Sequence, residues 1–135
     1  MKRWTALSWR LLLGLLLLTA VGCRRSAEAV DGAPEVRARL LPRPDTRVVG
    51  PLTLDLTLQD AAGAAIDGAT AVTLRGDMSH AGMQPVIATA TGHGEGIYTV
   101  DFEWTMAGDW IVTVEATLPD GRALRREFSF TVAAQ

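Results

Sequence analysis

The residues best suited to chemistry in this sequence are the methionines and histidines between positions 78 and 93. Met78, His80 and Met83 lie in one short segment, Met-Ser-His-Ala-Gly-Met, and His93 follows between two glycines. Thioether sulfur is a soft ligand that selects Cu(I), and imidazole binds copper in either oxidation state. Thioethers form no disulfides and need no deprotonation, which suits an oxidising compartment. We therefore expect a copper site, with Cu(I) as the ion and four ligands: Met78, His80, Met83 and His93.

The same residues also have a purely structural interpretation. A methionine in a loop of a β-sandwich commonly fills an irregular gap over the core. On residue chemistry alone, an apolar lid made by Met78 and Met83 explains the segment as well as a metal site does. Met106 could add a further sulfur, but a core-filling role is the better expectation for it. His93 could be an ordinary surface residue of a loop.

The sequence favours a protein without catalytic residues. Asp77, Ser79 and His80 are too close together in the sequence to be assumed to converge as a triad, which needs a nucleophile, a base and a group that orients the base. The sequence also contains no glycine-rich phosphate loop, no Cys-x-x-Cys and no His-Glu-x-x-His motif. We therefore expect that the protein is not an enzyme.

The N-terminus has the organisation of a secretion signal. Lys2, Arg3 and Arg10 are basic, an apolar run spans residues 11–18, and small residues precede Cys23, which is the only cysteine. The run is too short to span a bilayer, which takes about 20 residues. The segment Ala-Val-Gly-Cys resembles the lipobox of bacterial lipoproteins, in which cleavage occurs before a cysteine that carries the lipid.

This resemblance divides the chain into three parts. We expect residues 1–22 to be a signal peptide, residues 23–34 a lipidated N-terminus and flexible tether, and residues 35–135 the folded domain. Lipidation of Cys23 would anchor the protein to a membrane of a bacterial cell envelope, facing the periplasm or the exterior. Arg24 stands where an aspartate would favour the inner membrane, so the outer membrane is favoured in a cell that has one. The alternatives are a plain secretion signal and an uncleaved anchor.

Size and charge limit the partners of the mature chain. Removal of residues 1–22 leaves 113 residues, which suits a single domain with one core. These residues carry ten arginines and fifteen acids, a net charge of −5. Nucleic-acid binding needs a basic face. We therefore expect no nucleic-acid partner.

Alternation of apolar and polar residues predicts β-strands in the domain. Leu52, Leu54, Leu56 and Leu58 alternate with polar residues, and this period of two places the leucines on one face of a strand. The pattern recurs at 98–104, 110–116 and 124–132, and weaker strands are predicted at 36–41, 70–75 and 85–91.

Turn residues separate these strands. Pro119-Asp120-Gly121 predicts a hairpin turn, because proline presets the first dihedral angle and glycine accepts a positive one. Ala107-Gly108-Asp109 predicts a second tight reversal. Seven short strands and no amphipathic helix predict an all-β fold, namely an immunoglobulin-like antiparallel β-sandwich of about seven strands.

Three motifs between residues 72 and 114 resemble the YtkA-like domain. They are Met-x-His-x-x-Met at 78–83, Gly-x-Tyr at 96–98 and Met-Ala-Gly-x-Trp at 106–110. The stretch is also similar to the periplasmic part of FixH-type proteins, which have a transmembrane anchor in place of the lipobox. The resemblance implies a small extracytoplasmic immunoglobulin-like domain linked to copper handling and cytochrome oxidase maturation. Within it, Met78, His80 and Met83 match the family loop, whereas His93 has no firm counterpart.

These observations predict a lipid-anchored copper-binding domain that buffers Cu(I) or transfers it to or from another envelope protein. Its ligands would be Met78, His80 and Met83, with His93 completing the site. The alternative is a structural or interaction module of the cell envelope, in which the methionine loop is an adaptable apolar contact.

Overall fold

The computed structural model describes residues 33–80 and 82–135. The predicted signal peptide, the lipidation of Cys23 and residues 23–32 of the predicted tether lie outside these ranges. The described residues form eight strands: β1 (Arg37–Arg43), β2 (Gly50–Gln59), β3 (Thr70–Met78), β4 (Val86–Thr89), β5 (Thr91–Gly94), β6 (Ile97–Trp104), β7 (Gly108–Thr117) and β8 (Ala123–Val132). They include no helix that is long and apolar enough to cross a bilayer.

The strands form two antiparallel sheets of four. The first has the order β1-β2-β6-β5 and the second has the order β4-β3-β7-β8. This is the arrangement of an immunoglobulin-like sandwich. Strands β1, β2, β6 and β5 correspond to its four-stranded sheet, and β3, β7 and β8 correspond to its three-stranded sheet. Strand β4 is an addition at the edge of the second sheet. The predicted all-β sandwich is confirmed.

The core is built by the period of two that the sequence shows. Leu54, Leu56 and Leu58 of β2 are fully buried. Val100 and Tyr98 of β6, which pair with Leu54 and Leu56 in the same sheet, are buried beside them. Successive side chains of a strand point to opposite faces. Each alternating segment therefore places one apolar row between the sheets and one polar row in solvent.

One predicted strand is two strands in the structure. The sequence predicts a single strand at 85–91, but residues 86–94 form β4, which pairs with β3, and β5, which pairs with β6 in the other sheet. Ala90 lies at the crossing point, where its amide donates a hydrogen bond to the carbonyl of Val72. A period of two gives the same pattern for either sheet. It therefore cannot show where a strand changes its partner.

The two ends of the sandwich differ in the loops that they carry. We call one the methionine end; it holds the β1–β2 loop (44–49), the β3–β4 loop (79–85) and the β6–β7 turn (105–107). We call the other the tyrosine end; it holds the β2–β3 connection (60–69), the β5–β6 turn (95–96) and the β7–β8 turn (118–122). The chain reaches β1 at the tyrosine end, where Glu35 forms an ion pair with Arg122.

Candidate metal site at the methionine end

Strand β3 carries Met78 and His80 to the methionine end. Met78 is opposite Trp110 in the β3–β7 pairing, and the Ser79 amide donates a hydrogen bond to the Asp109 carbonyl at 3.2 Å, which prolongs the pairing by one residue. Met78 and His80 have the same parity as Leu74, which is fully buried between the sheets. They therefore continue the inward row of β3 beyond the point where the core ends.

Gly108 provides the space in which these two side chains meet. A Cβ atom placed on Gly108 would lie 2.9 Å from Met78 Cε and 4.0 Å from His80 Cε1. The thioether and the imidazole therefore approach one point above the first residue of β7. Gly108 also has a φ of +132°, a conformation that other residues rarely adopt. A side chain here would be strained and would displace the Met78 methyl group.

Two further methionines lie on the loops of the same end. Met83 follows Gly82 in the β3–β4 loop and is 37% exposed, and Met106 in the β6–β7 turn is 46% exposed. The Trp110 indole N–H donates to the Met106 carbonyl at 3.0 Å, which fixes the turn on the core. The expectation that Met106 fills the core is wrong, because the residue is exposed rather than buried.

An aromatic cluster forms the base of this end. Trp104 lies 5.0 Å from Phe102, 5.3 Å from Trp110 and 5.4 Å from Phe130, measured between ring centroids. Gly76 makes room for it, since a Cβ atom there would lie 2.5 Å from Phe102 Cζ. Met78 packs against the core that includes these rings. The thioether of Met78 is therefore held between a rigid apolar base and the exposed loops.

His93 lies at the other end of the molecule. It is an exposed residue of β5, and its Nε2 is 2.6 Å from Thr99 Oγ1. Thr99 is five residues from Trp104 along β6, which corresponds to about 17 Å at the usual rise of a strand. The structure therefore groups Met78, His80 and Met83 at one end and does not bring His93 to them. The ligand roles of these residues stay predictions.

Carboxylates add little to the donor set of the methionine end. Asp77 accepts two hydrogen bonds from the Arg75 guanidinium, at 2.8 and 2.9 Å, and Asp109 accepts one from the Thr131 hydroxyl. Within residues 33–80 and 82–135, no group of three or more His, Cys, Asp or Glu side chains could hold a metal ion. The donors that this end offers are thioethers and a single imidazole, which suit a soft ion rather than Zn²⁺ or Ca²⁺.

Sequence reasoning missed the part that Gly108 and Trp110 play in this arrangement. Both belong to the Met-Ala-Gly-x-Trp motif, from which the sequence predicts a turn that leads into a strand with Trp110 in the core. In the structure its glycine opens the space for Met78 and His80, and its tryptophan holds the backbone of Met106. The motif therefore links the two methionine loops. Its spacing, which places Gly108 and Trp110 close to Met106, is the sequence signal that could have indicated this role.

Comparison with known proteins agrees with this architecture. No curated protein matches the chain. The model of the family described as YtkA-like matches residues 31–115, a span that runs from just before β1 into β7 and includes Met78, His80, Met83 and Gly108. Because this span covers more than half of the sequence, the chain belongs to the YtkA-like family.

Proposed function

We propose that the methionine end binds Cu(I) and that the domain buffers the ion or passes it to another envelope protein. Met78, His80 and Met83 are the ligands in this proposal. Met106 replaces His93 as the candidate for a fourth, because the β6–β7 turn lies at the same end as the other three. The domain carries out no reaction on the ion.

The observation that carries this proposal is the convergence at Gly108. Met78 Cε and His80 Cε1 approach the same point, and two more thioethers lie on the loops that flank it. Thioether and imidazole together form a set that selects Cu(I) over hard cations. Thioethers carry no proton at neutral pH, so they are available to the metal without deprotonation.

The different exposure of the ligands supports transfer rather than permanent storage. Met78 is partly buried against the core, whereas His80 and Met83 are exposed. An acceptor can therefore replace the outer ligands one at a time while Met78 still holds the ion. Such an exchange changes no oxidation state, and the domain would need no redox partner.

The proposed location is the bacterial cell envelope, with the chain anchored by lipid at Cys23. A triacylated cysteine would give stable attachment, since one acyl chain alone binds a membrane only marginally. Metabolic labelling with a fatty acid tests this part, and loss of the label in Cys23→Ser is the expected result. Label that survives this substitution would contradict it.

Titration with Cu(I) tests the metal site directly. The protein would be the chain from residue 23 with Cys23→Ser, because a free thiol would itself bind Cu(I). Competition with a chromophoric Cu(I) chelator is expected to show one ion per chain. Met78→Leu combined with Met83→Leu keeps the apolar volume and removes both sulfurs. Its affinity is expected to fall by more than about 100-fold, because even residues that only support a metal ligand are worth about 10- to 100-fold.

Two matched variants complete the test. Ile97→Ala changes an exposed apolar residue at the start of β6, at the tyrosine end, and is expected to leave the Cu(I) affinity unchanged. His80→Ala is expected to weaken binding, because it removes the only imidazole at this end. Equal affinity of the unsubstituted protein and the double leucine variant would end the proposal.

The exposed methionines also favour a second function, namely an interaction module without a metal. Met83 and Met106 are among the few large apolar side chains that the described residues expose, and flexible thioethers adapt to varied partner surfaces. Capture of a membrane protein that persists in the presence of a Cu(I) chelator, and that Met83→Ser abolishes, would support this function over metal transfer.

A further inference from the structure

The three methionines of the methionine end differ in their access to oxidants. Met83 and Met106 are 37% and 46% exposed, on the β3–β4 loop and the β6–β7 turn. Met78 is partly buried, packs against the core and has its methyl group over Gly108. Oxidation of a thioether requires the oxidant to reach the sulfur atom. Met83 and Met106 should therefore react well before Met78.

We propose that Met83 and Met106 are sites of reversible oxidation to methionine sulfoxide, and that this modification disarms the metal site. The oxidant is a peroxide or hypochlorous acid. With hydrogen peroxide, one oxygen atom passes to the thioether sulfur, the O–O bond breaks and water leaves, so that sulfur is oxidised by two electrons as peroxide is reduced. The consequence for the metal rests on the function proposed above.

The chemistry of the product explains the loss of binding. A sulfoxide places a hard oxygen and a polar S–O bond where a soft sulfur lone pair stood, so its affinity for Cu(I) falls. Met78 keeps its thioether and its contact with the core, so the sandwich stays folded. The change is reversible, because two reductase classes each return one sulfoxide epimer to methionine.

The order of oxidation is the first measurement. The chain from residue 23 with Cys23→Ser contains all eight strands, and its fold would be checked by circular dichroism. It would be treated with hydrogen peroxide, and the sulfoxide at each methionine followed by peptide mass spectrometry. We expect Met83 and Met106 to oxidise at least about fivefold faster than Met78 in the folded protein, and all three at similar rates in urea. Equal rates in the folded protein would overturn the proposal.

The effect on the metal site is the second measurement. Ag(I) serves as a soft ion that does not cycle with peroxide. Bound Ag(I) is expected to slow oxidation of Met83, and protein oxidised only at Met83 and Met106 is expected to bind Cu(I) at least about tenfold more weakly until both reductases restore it. Full Cu(I) affinity after oxidation of both residues would overturn the proposal that this oxidation weakens the metal site. If the unoxidised protein binds no Cu(I), the proposed function fails, whereas the oxidation order is judged separately by its own rates.

Discussion

The two ends of the sandwich use their polar and sulfur-containing side chains in opposite ways. At the tyrosine end the side chains are occupied by the fold: Tyr98 Oη donates to the Ile66 carbonyl and accepts from the Ala69 amide, both at 3.0 Å, and the Asp67 carboxylate accepts from the Gly96 amide. His93 at this end is likewise held by Thr99. At the methionine end, the side chains of Met78, His80 and Met83 make no hydrogen bond within the described residues.

This difference shows how an immunoglobulin-like domain can keep donor atoms available. Hydrogen bonds from side chains hold the long connection 60–69, where the Asp60 carboxylate accepts from the Ala64 amide and the Tyr98 hydroxyl donates to the Ile66 carbonyl. The loops of the methionine end are fixed by apolar packing, by the indole hydrogen bond to the Met106 carbonyl and by the hydrogen bonds that Asp109 accepts from Ser79 and Thr131. Within the described residues, no hydrogen bond occupies the sulfur atoms of Met78 and Met83 or the imidazole of His80.

The largest expected effect comes from the base of the methionine end. Gly76→Ala would place a Cβ atom 2.5 Å from Phe102 Cζ and 3.3 Å from the Trp110 ring, and such overpacking lowers the free energy of unfolding by about 1–3 kcal/mol. Urea denaturation measures it, and Thr73→Ala, on the opposite face of β3, is the control. A stability unchanged from that of the control would show that the aromatic cluster is loosely packed.

The next effect tests the tyrosine end. Tyr98→Phe removes one hydroxyl and with it two hydrogen bonds to the 60–69 connection. We expect a loss of about 1–3 kcal/mol, because two backbone groups lose their partner, and no change in Cu(I) affinity. Chemical denaturation and chelator competition on the same sample measure both quantities. A fall in Cu(I) affinity would mean that the two ends are coupled, contrary to the comparison.

A smaller, pH-dependent effect is expected from Arg122. Its guanidinium lowers the pKa of Asp120. The pKa of Glu35 is also lowered, mainly by a backbone hydrogen bond and next by the hydrogen bond with Arg122. A carboxyl with a lowered folded-state pKa adds stability above its unfolded value, near pH 4, and this is lost as pH falls through the folded value. The melting temperature of Arg122→Gln should therefore approach that of the unsubstituted protein below this range. A difference that stays constant from pH 6 to pH 2.5 would contradict this.

The smallest expected effect is that of His93→Ala. The residue is exposed, and the substitution removes one surface hydrogen bond to Thr99. We expect a marginal change in stability and an unchanged Cu(I) affinity, in contrast to His80→Ala. Chelator competition with both variants in parallel gives the result. An equal loss in the two variants would show that His93 takes part in binding and would remove the distinction between the ends.

Local pattern was enough to predict much of the fold. The alternating leucines of β2 and the Tyr-x-Val-x-Phe-x-Trp row of β6 predict buried strands because burial on one face imposes a period of two. Pro119-Asp120-Gly121 predicts the β7–β8 turn, which closes with a hydrogen bond from the Gly121 amide to the Leu118 carbonyl. The crossing of residues 86–94 between sheets could not be predicted. It depends on the pairing of β4 with β3 and of β5 with β6, and these long-range contacts leave no mark in the local pattern.

The candidate site was only partly predictable for a similar reason. Met78, His80 and Met83 are close in sequence and stay at one end because a single loop contains the latter two. His93 is ten residues beyond Met83, and β4 and β5 together carry the chain to the opposite end. The position of Met106 depends on the hydrogen bond of Trp110 to its backbone, a contact that no sequence pattern displays.

The chain reaches β1 at the end of the sandwich opposite to the thioethers. Ala33 and Glu35 lie at the tyrosine end, and the ten-residue strand β7 spans roughly 30 Å between the two ends. If Cys23 is anchored in a lipid leaflet, the tether joins the sandwich at the end opposite to Met78, His80 and Met83. The lipid anchor and the proposed ion site would thus belong to different ends of the domain, so an acceptor would not compete with the tether for access to the thioethers.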